Sequence, residues 1–445
     1  MPKLVVPLKF HCRLVLAMVV FGLAAQSARA QSLADIEAQA NQGIAVAQAT
    51  LGTLYASGQN VPQDYTKAVY WYKKAASQGF AGAEYYLGVS YDTGQGVPQD
   101  YTKAIYWYKK AASQGFSEAE NNLGFHYKSA HGVVQDNKKA AFWFQKAALL
   151  GDPGGETNLG ALFDSGLGVS KDYAKAVYWY EKAADQGDMV AESKLGSHYA
   201  NGQGVPRDYT KAAYWYEKAA ALGDPAAQTY LGYLYGSGQG VPRDYTKAAY
   251  WYEKAAALGD PMAQTYLGYL YGGGQGVPQD YTKAAYWYEK AADQGSAEAQ
   301  TNLSVLYSSG QGVPQDYAKA VYWSKKAADQ GDPFSETNLG ILYYYGKGVQ
   351  ADNMAAASWF QKAASQGNAE AQMSLSILYE HGLGVTQDFK LAYACSFLAA
   401  LQGYSGAATN RDAIAAQMTS ADLAQAKKMH CSSAKQQIGV GLTRN

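Results

Sequence analysis

Residues Asp208–Gly259 read DYTKAAYWYEKAAALGDPAAQTYLGYLYGSGQGVPRDYTKAAYWYEKAAALG, in which one unit ends and the same unit begins again. The flanking segments 206–241 and 242–277 differ only at Ala226/Met262 and Ser237/Gly273, and they are offset by 36 residues. A fixed period of about 20–50 residues is the signature of a repeat architecture. The chain is therefore predicted to consist of copies of one short structural unit.

A leucine, followed by glycine in most copies, returns every 36 residues without any insertion. In each copy an aromatic residue follows the leucine by four positions, as Tyr55 does, and a small residue precedes it by four, as Ala47 does. This spacing lines one face of a helix, here called helix A. The glycine lowers helix propensity, so we expect a close approach of the neighbouring helix. The ten leucines are Leu51, Leu87, Leu123, Leu159, Leu195, Leu231, Leu267, Leu303, Leu339 and Leu375.

A second helix, helix B, follows in each copy with the pattern D-Y-x-K-A-x-x-W. All nine tryptophans occupy one register position, from Trp71 to Trp359, and an Ala-Ala pair follows each of them. This alternation of large and small residues predicts a buried stripe that includes the tryptophan. The aspartate that opens the pattern, such as Asp64, is expected to cap the helix N-terminus.

Regular glycines predict where the helices end. Gly79 and its equivalents follow helix B, where a residue with positive φ is common. Gly96 and its equivalents lie in the turn from A to B, and the first copy has Asn60 at that position. Asparagine also tolerates positive φ, so this exception fits the same turn geometry.

Two antiparallel helices per unit, repeated in tandem, predict an all-α fold, an alpha-solenoid of ten 36-residue helix-turn-helix repeats. The ends of such a stack need capping. We expect an N-terminal capping helix at 31–43, C-terminal capping helices at 404–434 and a flexible tail at 435–445. The predicted repeats are 44–79, 80–115, 116–151, 152–187, 188–223, 224–259, 260–295, 296–331, 332–367 and 368–403.

The first 30 residues have the features of a secretory signal peptide. Basic residues precede an apolar run at 14–25, and Ala28 and Ala30 supply the small residues of a cleavage site. Cleavage after Ala30 predicts a periplasmic or secreted protein without stable membrane insertion; the alternative is an N-terminal anchor helix. The remaining chain has 33 basic and 37 acidic residues. This balance offers no electrostatic footprint for nucleic acid.

The unit A-x-x-x-LG-x-x-Y-x-x-G-x-G-V-x-x-D-x-x-K-A-x-x-W-x-x-x-AA-x-x-G resembles the Sel-like repeat (SLR) family, a relative of the tetratricopeptide repeat. The resemblance covers residues 44–403, and residues 404–434 are similar to the C-terminal cap of that family. It implies a right-handed superhelix that serves as a scaffold or adaptor for other macromolecules. For exported bacterial members it implies envelope processes, polysaccharide assembly or contact with host proteins.

No pattern in the sequence predicts a catalytic, cofactor or metal site. His126 and His198 share a register but lie two repeats apart, and no H-x-x-x-H or C-x-x-C spacing is present. Some relatives carry a reported beta-lactam hydrolase label, and residues 432–435 fit S-x-x-K, but the companion motifs S-D-N and K-T-G are missing. An envelope hydrolase with beta-lactamase-like activity is therefore the least favoured alternative.

The two cysteines beyond the predicted signal peptide are Cys395, at the tryptophan position of the last helix B, and Cys431 in the final cap. An exported protein with two cysteines is expected to join them in a disulfide. The alternative is two separate buried thiols.

By analogy with tetratricopeptide-like solenoids, the A helices are expected to line a concave groove. The positions two before, one before and two after each leucine would then face a partner. Asparagine amides can bind an extended peptide backbone, and tyrosine offers rigid contact area; the alternative is that these tyrosines pack between helices. The candidate groove residues are Tyr85, Asn121, Asn122, Phe125, Asn158, Tyr230, Tyr233, Tyr266, Tyr269, Asn302 and Asn338.

Together these features predict an exported scaffold or adaptor that binds a protein or peptide in the groove. A polysaccharide-binding envelope assembly protein is the alternative, because exposed tyrosine rings can also stack on sugars.

Overall fold

The computed structural model describes residues 32–431, so the predicted signal peptide, the tail at 435–445 and the S-x-x-K match lie outside the described residues. Within this range there are 23 α-helices and no strand, and the predicted all-α repeat fold is confirmed. The helices are α1 (Leu33–Asn41), α2 (Ala45–Ser57), α3 (Tyr65–Ala76), α4 (Ala81–Thr93), α5 (Tyr101–Ser113), α6 (Ser117–Ser129), α7 (Asn137–Leu149), α8 (Pro153–Ser165), α9 (Tyr173–Asp185), α10 (Met189–Asn201), α11 (Tyr209–Ala221), α12 (Pro225–Ser237), α13 (Tyr245–Ala257), α14 (Pro261–Gly273), α15 (Tyr281–Asp293), α16 (Ala297–Ser309), α17 (Tyr317–Ala328), α18 (Pro333–Tyr345), α19 (Asn353–Ser365), α20 (Ala369–His381), α21 (Phe389–Leu401), α22 (Ala407–Ala415) and α23 (Ser420–Ala426).

The even-numbered helices α2–α20 are the A helices, and the odd-numbered helices α3–α21 are the B helices. The chain divides into two compact units. One comprises the described residues up to Leu159 together with Leu167–Ser170, and the other comprises Gly160–Gly166 and the described residues from Lys171. In each unit a helix packs against the helix that follows it. No helix within residues 32–431 combines the length and apolar character needed to cross a bilayer.

The predicted helix boundaries are confirmed by their hydrogen bonds and backbone angles. The Oδ1 atom of Asp64 accepts a hydrogen bond from the backbone N–H of Lys67 at 2.9 Å, which satisfies a donor of the first turn of α3. Gly79 has φ 78°, Gly96 has φ 75° and Asn60 has φ 62°, so all three lie in the left-handed region. The turn geometry is therefore the one that the glycine pattern indicates.

A third left-handed position, at the C-terminus of each A helix, was not predicted. Gly58 and its equivalents occupy it, except in the third repeat, where Ala130 has φ 59°. A residue with a Cβ atom is strained in this region. We therefore expect Ala130→Gly to raise the free energy of unfolding by about 1 kcal/mol. Urea unfolding tests this value, with Ala56→Gly inside helix α2 as a control that should lower stability.

The prediction that the tryptophan is the buried aromatic of helix B is wrong for most repeats. The residue after it is the fully buried one, as Tyr108 and Phe144 show, while Trp107 and Trp143 are only partly buried. Successive helical residues are about 100° apart around the helix axis. The face of helix B that packs against helix A is therefore centred on the residue after the tryptophan. Trp323 is buried, and the residue after it is a serine.

The buried aromatic explains the glycine of the A helix. A Cβ atom on Gly268 would lie 2.6 Å from Cε1 of Tyr288, and the other A-helix glycines at this position meet the equivalent ring in the same way. The expected close approach of the neighbouring helix is thus confirmed. The two repeats without this glycine also lack the ring: Ser304 precedes Ser324 by the same 20 residues, and Ser376 precedes Ser396. Glycine and ring therefore form one steric unit.

A buried polar residue lies three positions before the leucine of each helix A. In five repeats the column residue is glutamine; Gln264, for example, donates to the backbone oxygen of Ala256 at 3.2 Å and accepts from Gln294 at 2.9 Å. The other repeats have glutamate at this position, and Glu192 is buried with no hydrogen-bond partner for its Oε2 atom within the described range. Burial raises the pKa of Glu192.

The raised pKa of Glu192 predicts a pH-dependent cost to stability. The fold favours the protonated carboxyl more than the unfolded chain does, so the stability that the protonated form contributes is fully present below the unfolded pKa and is lost as the pH rises through the folded pKa. We expect Glu192→Gln to raise the free energy of unfolding by about 1 kcal/mol at neutral pH, and the gain to vanish at pH below about 4. Thermal melts across this range measure it, and the reverse change Gln228→Glu should destabilise. A gain of equal size at all pH values would contradict this account.

The C-terminal end carries the two cysteines. Helix α22 and helix α23 follow the last repeat, and Thr419 caps α23 through a hydrogen bond from the backbone N–H of Asp422 at 3.1 Å. Cys395 in α21 and Cys431 form a disulfide in the structure, with their Cα atoms 4.7 Å apart. This covalent link would tie the residues after α23 to the last B helix.

Candidate partner-binding surface

In the column two residues after each leucine, four of the ten A helices present an exposed side chain. Tyr233, Tyr269 and Val305 on α12, α14 and α16 are 40%, 40% and 45% exposed, and Phe125 on α6 is exposed as well. These side chains stand on rigid helices. They are therefore available to a partner without rearrangement of the backbone.

The column two residues before each leucine is buried or partly buried on every A helix, although we expected it to face the groove. Thr229 and Thr265 are buried, and the hydroxyl of Thr229 donates to Oδ1 of Asp260 at 3.1 Å. The same carboxylate accepts from the backbone N–H of Ala263 at 2.7 Å and so caps α14. This column therefore joins successive A helices.

Tyr85 stands in the same inward column and belongs to the packing. Its ring stacks on Phe116 at 4.9 Å and lies 5.9 Å from the ring of Tyr108. Burial raises the pKa of the Tyr85 hydroxyl. The ring of Tyr85 therefore fills space between helices, and a role of Tyr85 in the groove stays a prediction.

Tyr230 and Tyr266 combine packing with exposure. The ring of Tyr230 stacks on Tyr216 at 5.4 Å, and that of Tyr266 stacks on Tyr252 at 5.3 Å. Tyr230 is nevertheless 44% exposed, whereas Tyr266 is partly buried. Each of these two rings therefore packs against a helix B tyrosine, and the ring of Tyr230 is also exposed to solvent.

Tyr269 is the tyrosine of this surface whose hydroxyl makes two side-chain hydrogen bonds. Its hydroxyl donates to Oε1 of Glu298 at 3.0 Å and accepts from Nδ2 of Asn302 at 3.0 Å. A cleft of about 330 Å³ adjoins it, lined also by Gly272, Gly273 and Val305. Burial raises the pKa of Tyr269, so its hydroxyl stays protonated at neutral pH. The site thus offers a fixed hydrogen-bonding ring beside an apolar recess.

The remaining candidate asparagines lie on other A helices. In the N-terminal unit, Nδ2 of Asn158 donates to Oδ1 of Asn121 at 2.9 Å, which links α8 to α6. Asn122 on α6 is partly buried. Asn338 on α18 is partly buried. The structure thus brings Asn121 and Asn158 together and places Asn302 with Tyr269.

Two histidines form inter-repeat contacts that sequence reasoning missed. His126 is buried, with Nδ1 2.9 Å from the backbone oxygen of His131 and Nε2 3.4 Å from Oδ1 of Asp92 in the preceding repeat. His198 repeats the arrangement with Asp164 at 3.5 Å. The sequence does contain a pattern that indicates this contact, because each histidine follows an aspartate by 34 residues. Within residues 32–431, no three His, Cys, Asp or Glu side chains form a group that could hold a metal ion.

Comparison with known proteins identifies the repeat. A family model described as the Sel1 repeat matches ten consecutive segments. Among curated proteins no sequence matches the chain. The matched segments are residues 45–80, 81–116, 117–152, 153–188, 190–224, 225–260, 261–296, 297–332, 333–368 and 369–404.

Two solved structures are similar over most of their own length. A protective antigen present in uropathogenic Escherichia coli strains, displaying an SLR fold, is 36% identical, with 89% of this chain and 93% of that chain covered and a TM-score of 0.67. A Sel1 repeat protein from Oxalobacter formigenes is 36% identical, with coverage of 68% and 88% and a TM-score of 0.53.

Proposed function

This chain belongs to the Sel1 repeat family, and from that premise we propose that it is a non-catalytic scaffold whose A helices bind a protein or peptide. Sel1 repeat proteins are in general modules of protein interaction, and their fold is generally a scaffold. The proposed contact surface is the one formed by Tyr230, Tyr233, Tyr269, Asn302 and Val305 on α12, α14 and α16.

The observation that carries this proposal is the exposed, preorganised tyrosine at position 269. Its hydrogen bonds to Glu298 and Asn302 fix the ring before a partner arrives, so little side-chain entropy is lost on binding. Tyrosine is enriched among residues that dominate binding energy, especially beside a pocket that excludes water. The cleft next to Tyr269 would accept an apolar side chain of the partner.

We further propose that the protein works outside the cytoplasm, in the cell envelope or in contact with a host. The predicted signal peptide and the paired cysteines support this location. The similar Escherichia coli protein is described as a protective antigen, which is compatible with exposure to a host. A periplasmic or secreted location follows if residues 1–30 are removed during export.

Affinity capture from the exported fraction tests the site. We expect the variant Tyr230→Ala/Tyr233→Ala/Tyr269→Ala to retain the partner at least about tenfold more weakly than the wild type. The matched control is Tyr214→Ala/Tyr250→Ala/Tyr286→Ala, which removes three rings of similar exposure from the B helices.

Equal retention by both variants would place the contact elsewhere on the molecule. Digestion of the captured ligand with protease separates the ligand classes, because only a protein or peptide loses binding. Retention that survives protease and disappears after glycan degradation would instead support the polysaccharide-binding alternative.

A further inference from the structure

The B helices of the first repeats carry positive charge without internal compensation. Helices α3, α5 and α7 contain no aspartate or glutamate, whereas the later helices α9 and α11 include Glu181 and Glu217 at one shared register. At that register α3 and α5 have lysine. Helices α3 and α5 therefore present this double lysine in two adjacent repeats of the N-terminal unit, and α17 carries the same pair, Lys325 and Lys326, in a single later repeat.

Part of this charge is neutralised locally, and part is not. Lys67 and Lys103 pair with the aspartates that cap their own helices, at 3.7 and 3.1 Å. Lys146 in the last turn of α7 pairs with Glu120 at 3.8 Å, whereas the lysines two and three residues after the tryptophans of α3 and α5 form no ion pair within residues 32–431 and are all exposed. These four are Lys73, Lys74, Lys109 and Lys110.

Each pair of lysines stands beside a half-exposed tyrosine. Tyr70 and Tyr106 are 52% and 53% exposed, and each ring lies edge-on to the following tryptophan at 5.1 Å. The Nζ atom of Lys74 lies 4.7 Å from the ring centroid of Tyr70, and that of Lys110 lies 5.4 Å from Tyr106. Because the ammonium groups lie over the rings, a sugar or base that stacks there would have to displace them.

We propose that this basic aromatic face, formed by Tyr70, Lys73, Lys74, Tyr106, Lys109 and Lys110, docks the protein on the surface of a membrane that contains anionic phospholipid. Lysine ammonium groups are point charges on flexible stems, which suit a diffuse negative surface better than a single bidentate ligand. Tyrosine and tryptophan are favoured at the membrane–water interface. Each lysine near an anionic bilayer raises binding by about fivefold.

The charge distribution of the same unit favours one orientation. Its A helices α4 and α6 carry the partly exposed carboxylates Asp92 and Glu118, whereas Glu84 and Glu120 on the same helices are buried. An anionic surface would attract the lysine face and repel the A-helix carboxylates. The lysine face shares no residue with the proposed partner-binding surface, so the inference does not depend on that proposal.

Co-sedimentation of the full chain with vesicles tests the inference. We expect binding to vesicles of phosphatidylcholine mixed with phosphatidylglycerol, no binding to phosphatidylcholine alone, and release at high salt. The variant Lys73→Glu/Lys109→Glu, which introduces the residue that α9 and α11 have at this register, should bind at least about 25-fold more weakly. The variant Lys194→Glu/Lys347→Glu changes the net charge equally at exposed sites elsewhere and should bind like the wild type.

Transplanting the face provides a second, independent test. Glu217→Lys/Glu253→Lys recreates the double lysine in two adjacent later repeats, beside Tyr214 and Tyr250, and should strengthen vesicle binding. Equal binding by the wild type and Lys73→Glu/Lys109→Glu would overturn the inference. So would an absence of binding to anionic vesicles at low salt, or binding of polyglutamate without binding of vesicles, since the latter would assign the face to an acidic polypeptide.

Discussion

Replacing Gly268 with serine is expected to lower the free energy of unfolding by about 1–3 kcal/mol, because the new Cβ atom overlaps a packed ring. That atom would lie 2.6 Å from Cε1 of Tyr288, which is buried and held by its own helix. Urea unfolding monitored by circular dichroism measures the loss. The matched control is Gly273→Ser in the same helix, which reproduces the serine found in the near-identical preceding repeat and should be almost neutral.

The decisive comparison is a double-mutant cycle with Tyr288→Ser. That single change removes a buried ring and should cost about 3–5 kcal/mol. In its background Gly268→Ser should cost less than about 1 kcal/mol, since the ring that opposes the new side chain is gone. The eighth repeat already contains this combination as Ser304 and Ser324. Additive effects of the two substitutions would show that glycine and ring are not one steric unit.

Loss of the disulfide is expected to have a comparable effect at the C-terminal end. Cys395 and Cys431 are separated by 36 residues, and closing a loop of that length stabilises by about 3–4 kcal/mol in the chain-entropy model. In a repeat protein this loss falls mainly on the terminal repeat and its cap. We expect Cys431→Ser to expose α22 and α23 to protease and to lower the melting temperature.

A reductant provides the control for this prediction. Reducing the wild type should reproduce the behaviour of Cys431→Ser, and the variant itself should not respond to reductant. If the oxidised wild type and the variant are digested and melt alike, the disulfide does not hold the cap. Labelling of free thiols in the unfolded wild type would show two separate cysteines, as the alternative requires.

The repeat itself could be predicted closely from the sequence because each boundary has its own chemical signal. Asp64 caps a helix, Gly79 ends one, and Asn60 replaces glycine where φ is positive. These local preferences agree with the 36-residue period in copy after copy. Helix position and length are set by local chemistry, so they were accessible without the structure.

The packing of helix B was harder to predict, because two large neighbours compete for one stripe. Trp107 and Tyr108 are adjacent, and periodicity alone does not say which of them faces helix A. The answer was nevertheless present in the sequence: Ser304 and Ser376 lack the glycine, and the residues after the corresponding tryptophan and cysteine are Ser324 and Ser396. A comparison of the two columns would have identified the buried ring.

The candidate surface was predictable only in part. The column of Tyr233 and Tyr269 is exposed as expected, but the column of Thr229 and Thr265 is buried against the next repeat. The buried column depends on contacts between repeats, where Asp260 both caps its own helix and accepts from Thr229. Such shared contacts follow from the angle between successive helices, which a one-dimensional pattern does not contain.

Site-specific photo-crosslinking tests the proposed scaffold function most directly. A photoreactive phenylalanine analogue at Val305, beside the Tyr269 cleft, should form a covalent adduct with a protein partner in the exported fraction. The same analogue at Tyr250, equally exposed on a B helix, should not form it. An adduct from position 305 that disappears in Tyr233→Ala/Tyr269→Ala would support the account; an adduct from position 250 alone, or no adduct at position 305, would contradict it.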